Sequence, residues 1–309
     1  MHIKIGTRGS KLALWQAEMV ASKLQAAGAT TEIITIETKG DKILNQPLAE
    51  IGSKGLFTEE IEQQLSLGYI DIAVHSAKDM QSTLPEDMVI IAFTEREKAN
   101  DVLVSFDKNL SLASAQPMVV GTSSARRKAI LKYHFPHVQV VDMRGNLQTR
   151  IRKMQEGQCQ AMILAYAGIH RMQNDDLINE LLPLDLFVPP VGQGCVAIEA
   201  HDSLEKDKRN LISKTLNHAD TALCVLEERK LLRMLDGGCS IPLFCMATMN
   251  DTHISMRAGI IDAEEKINIV ELHAEPLSSA ARCAEAMMEK LVEKNIHEVL
   301  EGIRLRGVN

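Results

Sequence analysis

The sequence predicts an α/β protein made of two successive α/β domains and a smaller α+β domain. Three observations carry this. Strand-like and helix-like segments alternate from the first residues, the alternation restarts near residue 117, and past residue 217 it gives way to a helix, three strands and another helix.

The elements follow in order. Ile3 to Thr7 is a short apolar strand. Gly9-Ser10 then opens a helix in which Leu12, Trp15 and Met19 share one face, at i, i+3 and i+7. Glu32 to Glu37 reads as a strand, Phe57 to Leu67 as a helix and Ile70 to His75 as a third strand. In the second stretch, Met118 to Val120 is a strand and Gly121-Thr122-Ser123-Ser124 a turn with helix-capping residues. Ala125 to Tyr133 is a helix, Val138 to Val141 a strand, Gln148 to Gln155 a helix and Ala161 to Tyr166 a strand. A long helix from Ala219 to Leu235 stops at Gly237-Gly238. Strands around Leu243 to Thr248, His253 to Ile260 and Lys266 to His273 precede a helix from Leu277 to Val292. The extended stretches Ala92 to Val104 and Val188 to Gly192 read as two crossings between the first two domains, which would make a hinged pair with a ligand cleft. No internal repeat is visible.

Composition narrows the function. The chain has 309 residues, 45% hydrophobic and 24% charged, with a net charge of −7. That balance, with only 3% aromatic residues, argues against a nucleic-acid binder. The longest apolar run, Ala161 to Ile169, is far short of the ~20 residues of a membrane-spanning helix. The N-terminus lacks the apolar stretch of a secretory signal. Cys159, Cys195, Cys224, Cys239, Cys245 and Cys283 are scattered without a CxxC pair. They read as reduced thiols in a cytoplasmic protein, with no metal site.

Three places can carry chemistry. Against the acidic whole, residues 121–155 hold Arg126, Arg127, Lys128, Lys132, Arg144, Arg150, Arg152 and Lys153, opposed there only by Asp142. Arginine forks match carboxylates, and the Thr122-Ser123-Ser124 turn adds hydroxyls and free N–H groups at a helix start. The Arg152-Lys153 end is read as a solvated face. Second, the apolar strand ending in His75-Ser76-Ala77-Lys78-Asp79 puts ionisable groups beyond its carboxyl end, where α/β proteins bind ligands. Asp79 is placed for proton transfer or cation stabilisation, or equally for a structural cap or ion pair; Lys78 is placed to bind an anion; His75 is read as a packing residue. Third, Gly237-Gly238-Cys239 presents a thiol on a loop able to approach a ligand closely, though a lone cysteine also serves as a small apolar residue.

A series of segments resembles one family, the porphobilinogen deaminases (hydroxymethylbilane synthases). It runs through Gly6-Thr7-Arg8-Gly9-Ser10-Lys11, Lys54-Gly55-Leu56-Phe57, His75-Ser76-Ala77-Lys78-Asp79 and Gly121-Thr122-Ser123-Ser124-Ala125-Arg126-Arg127. It continues with Arg144-Gly145-Asn146-Leu147-Gln148-Thr149-Arg150, Leu164-Ala165-Tyr166-Ala167-Gly168, Val191-Gly192-Gln193-Gly194 and Gly237-Gly238-Cys239. The order is kept from residue 6 to residue 242, while the last ~65 residues match only in general character.

The resemblance implies two periplasmic-binding-protein-like α/β domains with mixed sheets plus a smaller α+β C-terminal domain. The expected division is 1–96 with 195–214, then 97–194, then 215–309. It implies a transferase of tetrapyrrole biosynthesis that joins four porphobilinogen molecules head to tail, with loss of ammonia, into hydroxymethylbilane. A dipyrromethane cofactor attached at Cys239 is its primer. Asp79 is the expected catalytic residue. Arg8, Ser10, Ser76, Lys78, Thr122, Ser123, Ser124, Arg126, Arg127, Arg144, Arg150 and Gln193 are expected to bind substrate and cofactor carboxylates. The expected protein is a cytoplasmic monomer. The alternative class is a two-lobed anion-binding protein without catalysis, which would need neither Asp79 nor Cys239. The chain departs from the family pattern at Glu50, Glu59, Met80-Gln81 (Val-Pro is more usual), Cys195 and Phe244.

Overall fold

The computed structural model describes residues 1–42, 57–238 and 241–307. The expectations for Glu50, for Lys54-Gly55-Leu56 and for Cys239 therefore lie outside the described residues. Two units divide the chain: residues 1–97 with 192–223, and residues 98–191 with 224–309.

In the first unit, strand β1 (His2–Thr7) is buried at Ile3 and Ile5 and pairs in parallel with β2 (Thr30–Thr35) and β3 (Ile72–Ser76). Strand β10 (Val196–His201) runs antiparallel to β3 and to β4 (Met88–Phe93), giving the order β2-β1-β3-β10-β4. Helices cover both faces of the sheet, and consecutive residues of β3 from Ile72 to His75 are buried. Ile72 and Val74 pack with Val20 and Leu24 of helix α1 (Lys11–Ala26) and with Ile212 and Leu216 of α7 (Lys206–Leu216). Ala73, between them, meets Ile61 and Leu65 of α3 (Glu59–Ser66) on the other face. A one-turn helix, α2 (Lys39–Lys42), precedes α3, and Glu59 holds the exposed Lys39 ammonium at 2.8 Å.

The second unit repeats this plan. β6 (Met118–Gly121) pairs in parallel with β7 (Val138–Val141) and β8 (Ala161–Ala165), and β5 (Asp101–Val104) runs antiparallel to β8 and β9 (Ile178–Leu181). The order β7-β6-β8-β5-β9 matches that of the first sheet element for element, a structural repeat that leaves no visible sequence repeat. Helices α4 (Ala125–His134), α5 (Leu147–Gln155) and α6 (Tyr166–Arg171) follow β6, β7 and β8.

A smaller antiparallel sheet of β11 (Leu243–Met249), β12 (His253–Asp262) and β13 (Ile267–Pro276) completes the second unit. It is preceded by α8 (Ala219–Met234), inside which the unit boundary falls, and followed by α9 (Cys283–Glu293) and α10 (Ile296–Gly307). Phe244 is buried in a core shared with Leu131, Val138 and Phe187, so the larger side chain at this position fills space between the small sheet and the second α/β layer. The predicted single helix from Leu277 is a short 3-10 segment (Leu277–Arg282) followed by α9, with Ser279 leaving helical geometry at φ −121°. The chain is thus a mixed α/β protein with two five-stranded mixed sheets and a smaller C-terminal sheet among the described residues. No described helix is long and apolar enough to cross a membrane.

Candidate functional site

Strands β1 and β3 lie side by side and parallel, with Gly6 opposite Ala73, so their carboxyl ends open at the same edge. Gly6 permits this: a Cβ there would lie 2.3 Å from Ile70 Cδ1. The chain leaving β1 carries Arg8 and then Ser10, whose hydroxyl caps α1 by accepting from the Ala13 N–H at 3.3 Å. The chain leaving β3 carries Ser76 and then a 3-10 turn, Ala77–Asp79, which leaves Asp79 exposed.

Arg8, Ser10, Gln16, Phe57, Thr58, His75, Ser76 and Asp79 line one cavity. The Arg8 guanidinium lies 4.2 Å from the centroid of the Phe57 ring, a cation–π contact that orients its fork. Gln16 Nε2 donates to Ser76 Oγ at 3.0 Å, fixing that hydroxyl from α1. Lys78 Nζ donates to Gln193 Oε1 at 3.3 Å. Gly192 and Gly194, on either side of Gln193, have φ of +71° and +90°. A Cβ at Gly192 would press on Ala77 at 2.9 Å, and one at Gly194 on the Glu97 carbonyl at 2.4 Å. Glycine is required at both for the Gln193 loop to lie against the Asp79 turn. The Cys195 carbonyl accepts from the Ala77 N–H at 3.0 Å, and the Cys195 side chain is buried.

His75 is buried, as a packing histidine should be, but it also sits 3.1 Å from the fully buried carboxylate of Glu199. Glu62 of α3 belongs to the same group: burial pushes its carboxyl above the usual range, and Glu199 adds to the push. Sequence reasoning assigns no site role to Glu62, Glu199, Gln16 or Phe57, although Phe57 closes one of the family segments. The charged residue Glu199 inside the apolar strand Val196–His201 was the one signal available for the pair.

In the second unit, the Thr122 N–H donates to Val141 at the end of β6, and the Thr122 hydroxyl accepts from the Ser124 N–H at 3.3 Å. Ser123 Oγ accepts from the Met143 N–H at 3.0 Å, and Ser124 caps α4 through the Arg127 N–H. Arg126 and Arg127 point inward, each giving an Nη2 hydrogen bond of 2.6 Å to one oxygen of Asp101, which is wholly buried. Arg126 also donates to the Val188 carbonyl and Arg127 to that of Ile163. Burial alone would raise the Asp101 carboxyl; the charges of Arg126 and Arg127 overcome it and hold the group far below the carboxylate range. Two guanidinium groups thus share one carboxylate, directly after the Thr122–Ser124 turn in sequence. The Nε–H groups of both arginines are buried without a hydrogen-bond partner.

Arg144 and Arg150 flank the start of α5, where Asn146 caps the helix by accepting from the Thr149 N–H at 2.9 Å. The positive surroundings show on Asp142, whose carboxyl is held below its ordinary value by a hydrogen bond from Lys128, with Ser123 and Arg144 contributing. On the approach to Cys239, Gly237 is packed so that a Cβ would lie 2.6 Å from both Leu232 and Leu243, and Arg304 of α10 donates to the carbonyls of Leu235 and Asp236. Among the described residues no cluster of His, Cys, Asp and Glu is arranged to hold a metal ion.

The fold and its polar groups define an α/β protein with one exposed carboxylate in a cation-bearing cavity and a separate donor-rich turn suited to carboxylate groups. The chain belongs to the porphobilinogen deaminase family. Residues 3–209 match its dipyromethane cofactor binding domain and residues 222–293 its C-terminal domain. A porphobilinogen deaminase of Cytophaga hutchinsonii is 56% identical over 262 residues, covering 85% of this chain and 84% of that protein. One of Desulfosudis oleivorans is 47% identical over 305 residues, covering 98% of each. Among solved structures, the BvgS VFT2 domain of Bordetella pertussis aligns with a TM-score of 0.42 at 15% identity, covering 74% of this chain and 92% of that one.

The donor chemistry fits the cofactor that the family description names. Orphaned buried Nε–H groups, three hydroxyl residues on one turn and a positive local field suit the carboxylates of a pyrrole chain.

Proposed function

We propose that this chain is a transferase that joins four porphobilinogen molecules head to tail, releasing ammonia at each coupling, to give hydroxymethylbilane. The observation that carries this reading is the family membership together with Asp79 in the lining of the cavity that holds Arg8, Ser10 and Ser76. Dipyrromethane, held through Cys239, supplies the pyrrole terminus from which the product grows.

Each porphobilinogen brings an acetate and a propionate. Arg8, Ser10, Ser76, Lys78 and Gln193 in the first unit, and Thr122, Ser123, Ser124, Arg144 and Arg150 in the second, bind these carboxylates. Arg126 and Arg127, which pair with the single carboxylate of Asp101, act through their excess of positive charge over it. Asp79 hands a proton to the departing amine, stabilises the electron-poor methylene pyrrole that results, and takes up the proton lost from the acceptor carbon. The phenyl ring of Phe57 holds Arg8 on one side of the cavity and so keeps the cation near the substrate carboxylates.

The second unit is proposed to comprise two domains, one carrying the carboxylate-binding turns and one carrying Cys239. The protein is proposed to be a cytoplasmic monomer that binds neither membrane nor nucleic acid. The test is direct: incubation with porphobilinogen, followed by measurement of ammonia and linear tetrapyrrole. Four ammonia per tetrapyrrole supports the reading. Binding of porphobilinogen without ammonia release would replace it with a binding-only role.

A further inference from the structure

The residue that stands where proline is more usual makes contacts that proline cannot. Gln81 follows Asp79 by two positions, after the buried Met80, whose backbone is extended at φ −78° and ψ 148°. Gln81 Nε2 donates to Thr58 Oγ1 at 3.1 Å and to Glu62 Oε1 at 3.3 Å. Thr58 lines the same cavity as Asp79, and its neighbour Phe57 carries Arg8. One side-chain amide therefore joins the turn bearing Asp79 to the segment bearing Phe57 and Thr58. The other side of that turn is tied by Lys78 to Gln193.

We propose that Gln81 is a positioning residue: by hydrogen-bonding Thr58 and Glu62 it holds the Asp79 turn against the Phe57–Thr58 wall and keeps the carboxylate aligned with Arg8. This rests on the reading given under Proposed function. The buried carboxyl of Glu62 reinforces the tie, because it needs donors and draws them from Thr58 and Gln81. A leucine at position 81 keeps most of the volume and removes both hydrogen bonds.

The test compares wild type with Gln81→Leu, both as purified full-length protein carrying its cofactor. The expected result is a kcat about five- to twentyfold lower, the cost of a misaligned catalytic group, with KM changed less than about threefold. Hydrogen exchange at the Met80 amide, which reaches the Ala77 carbonyl, should also quicken in the variant. A kcat within twofold of wild type, or a loss accounted for by unfolded protein, overturns the inference, as does unchanged exchange. If Gln81→Leu does not fold, Gln81→Asn, one methylene too short to reach both partners, takes its place with the same expectations. The two readings separate cleanly. A wild type that releases no ammonia fails the proposed function, while the exchange measurement still decides whether Gln81 holds the turn.

Discussion

Asp101 Oδ1 lies 2.6 Å from Arg127 Nη2, with the carboxylate wholly buried and the guanidinium nearly so. Arg126 closes on the other oxygen. Replacing Asp101 by Asn leaves two buried cations without a counter-charge. The expected loss is about 3–5 kcal/mol of stability, read as a lowered midpoint in urea. The carboxyl is held far below its unfolded value, so its stabilisation is present above about pH 4 and is lost as pH falls below that. Wild type should lose stability steeply in acid and Asp101→Asn less so; parallel curves would show that the pair does not govern acid unfolding.

Asp79→Asn keeps the size and exposure of the side chain and removes its ability to move a proton. Turnover should fall by about 10²–10⁴-fold. The melting temperature and the bound cofactor mass should stay near wild type. Near-normal turnover would remove Asp79 from the assigned chemistry.

Gly194→Ala places a methyl group 2.4 Å from the Glu97 carbonyl in a backbone with φ of +90°. A destabilisation of at least about 1–2 kcal/mol is expected, with a rise in KM as the Gln193 loop lifts from Lys78. Calorimetry and substrate titration check the two parts separately.

The thiols give a chemical prediction. Cys159, Cys195, Cys224, Cys245 and Cys283 are all buried, and burial, with Glu227 adding, pushes the Cys283 thiol up to about 12. Alkylation of the native protein at pH 8 should leave these five unmodified. Intact mass should exceed the sequence mass by two pyrrole units in wild type and match it in Cys239→Ser. An unmodified wild-type mass that stays unmodified after incubation with porphobilinogen would fault the attachment role of Cys239.

Local signals made much of the fold readable. Ser10, Ser124 and Asn146 cap their helices, and strands such as Ile72–Ser76 announce themselves by continuous apolar runs. Strands β4, β5, β9 and β10 carry no clear local signal: their partners lie far away in sequence, and β4, β5 and β10 fall in or beside the extended stretches 92–104 and 188–192. For the site, motif order indicated Asp79, the Thr122 turn and the arginines. It could not show that Arg126 and Arg127 turn inward, because their partner Asp101 is 25 or 26 residues away, at the start of a short apolar strand. Nor could it show that Gln81 reaches Thr58, a contact set by how α3 lies on the sheet.

Strand β10 sits between β3 and β4 in the first sheet, although more than a hundred residues separate it from either. On the ribosome, the N-terminal sheet must therefore wait, its two inner edges unpaired, until the second sheet has emerged. The strands of the second sheet emerge before β10, so the oldest part of the chain closes later. A chain cut before Val196 would expose the edges of β3 and β4 and is expected to aggregate, whereas one lacking only its last helix would not face that hazard.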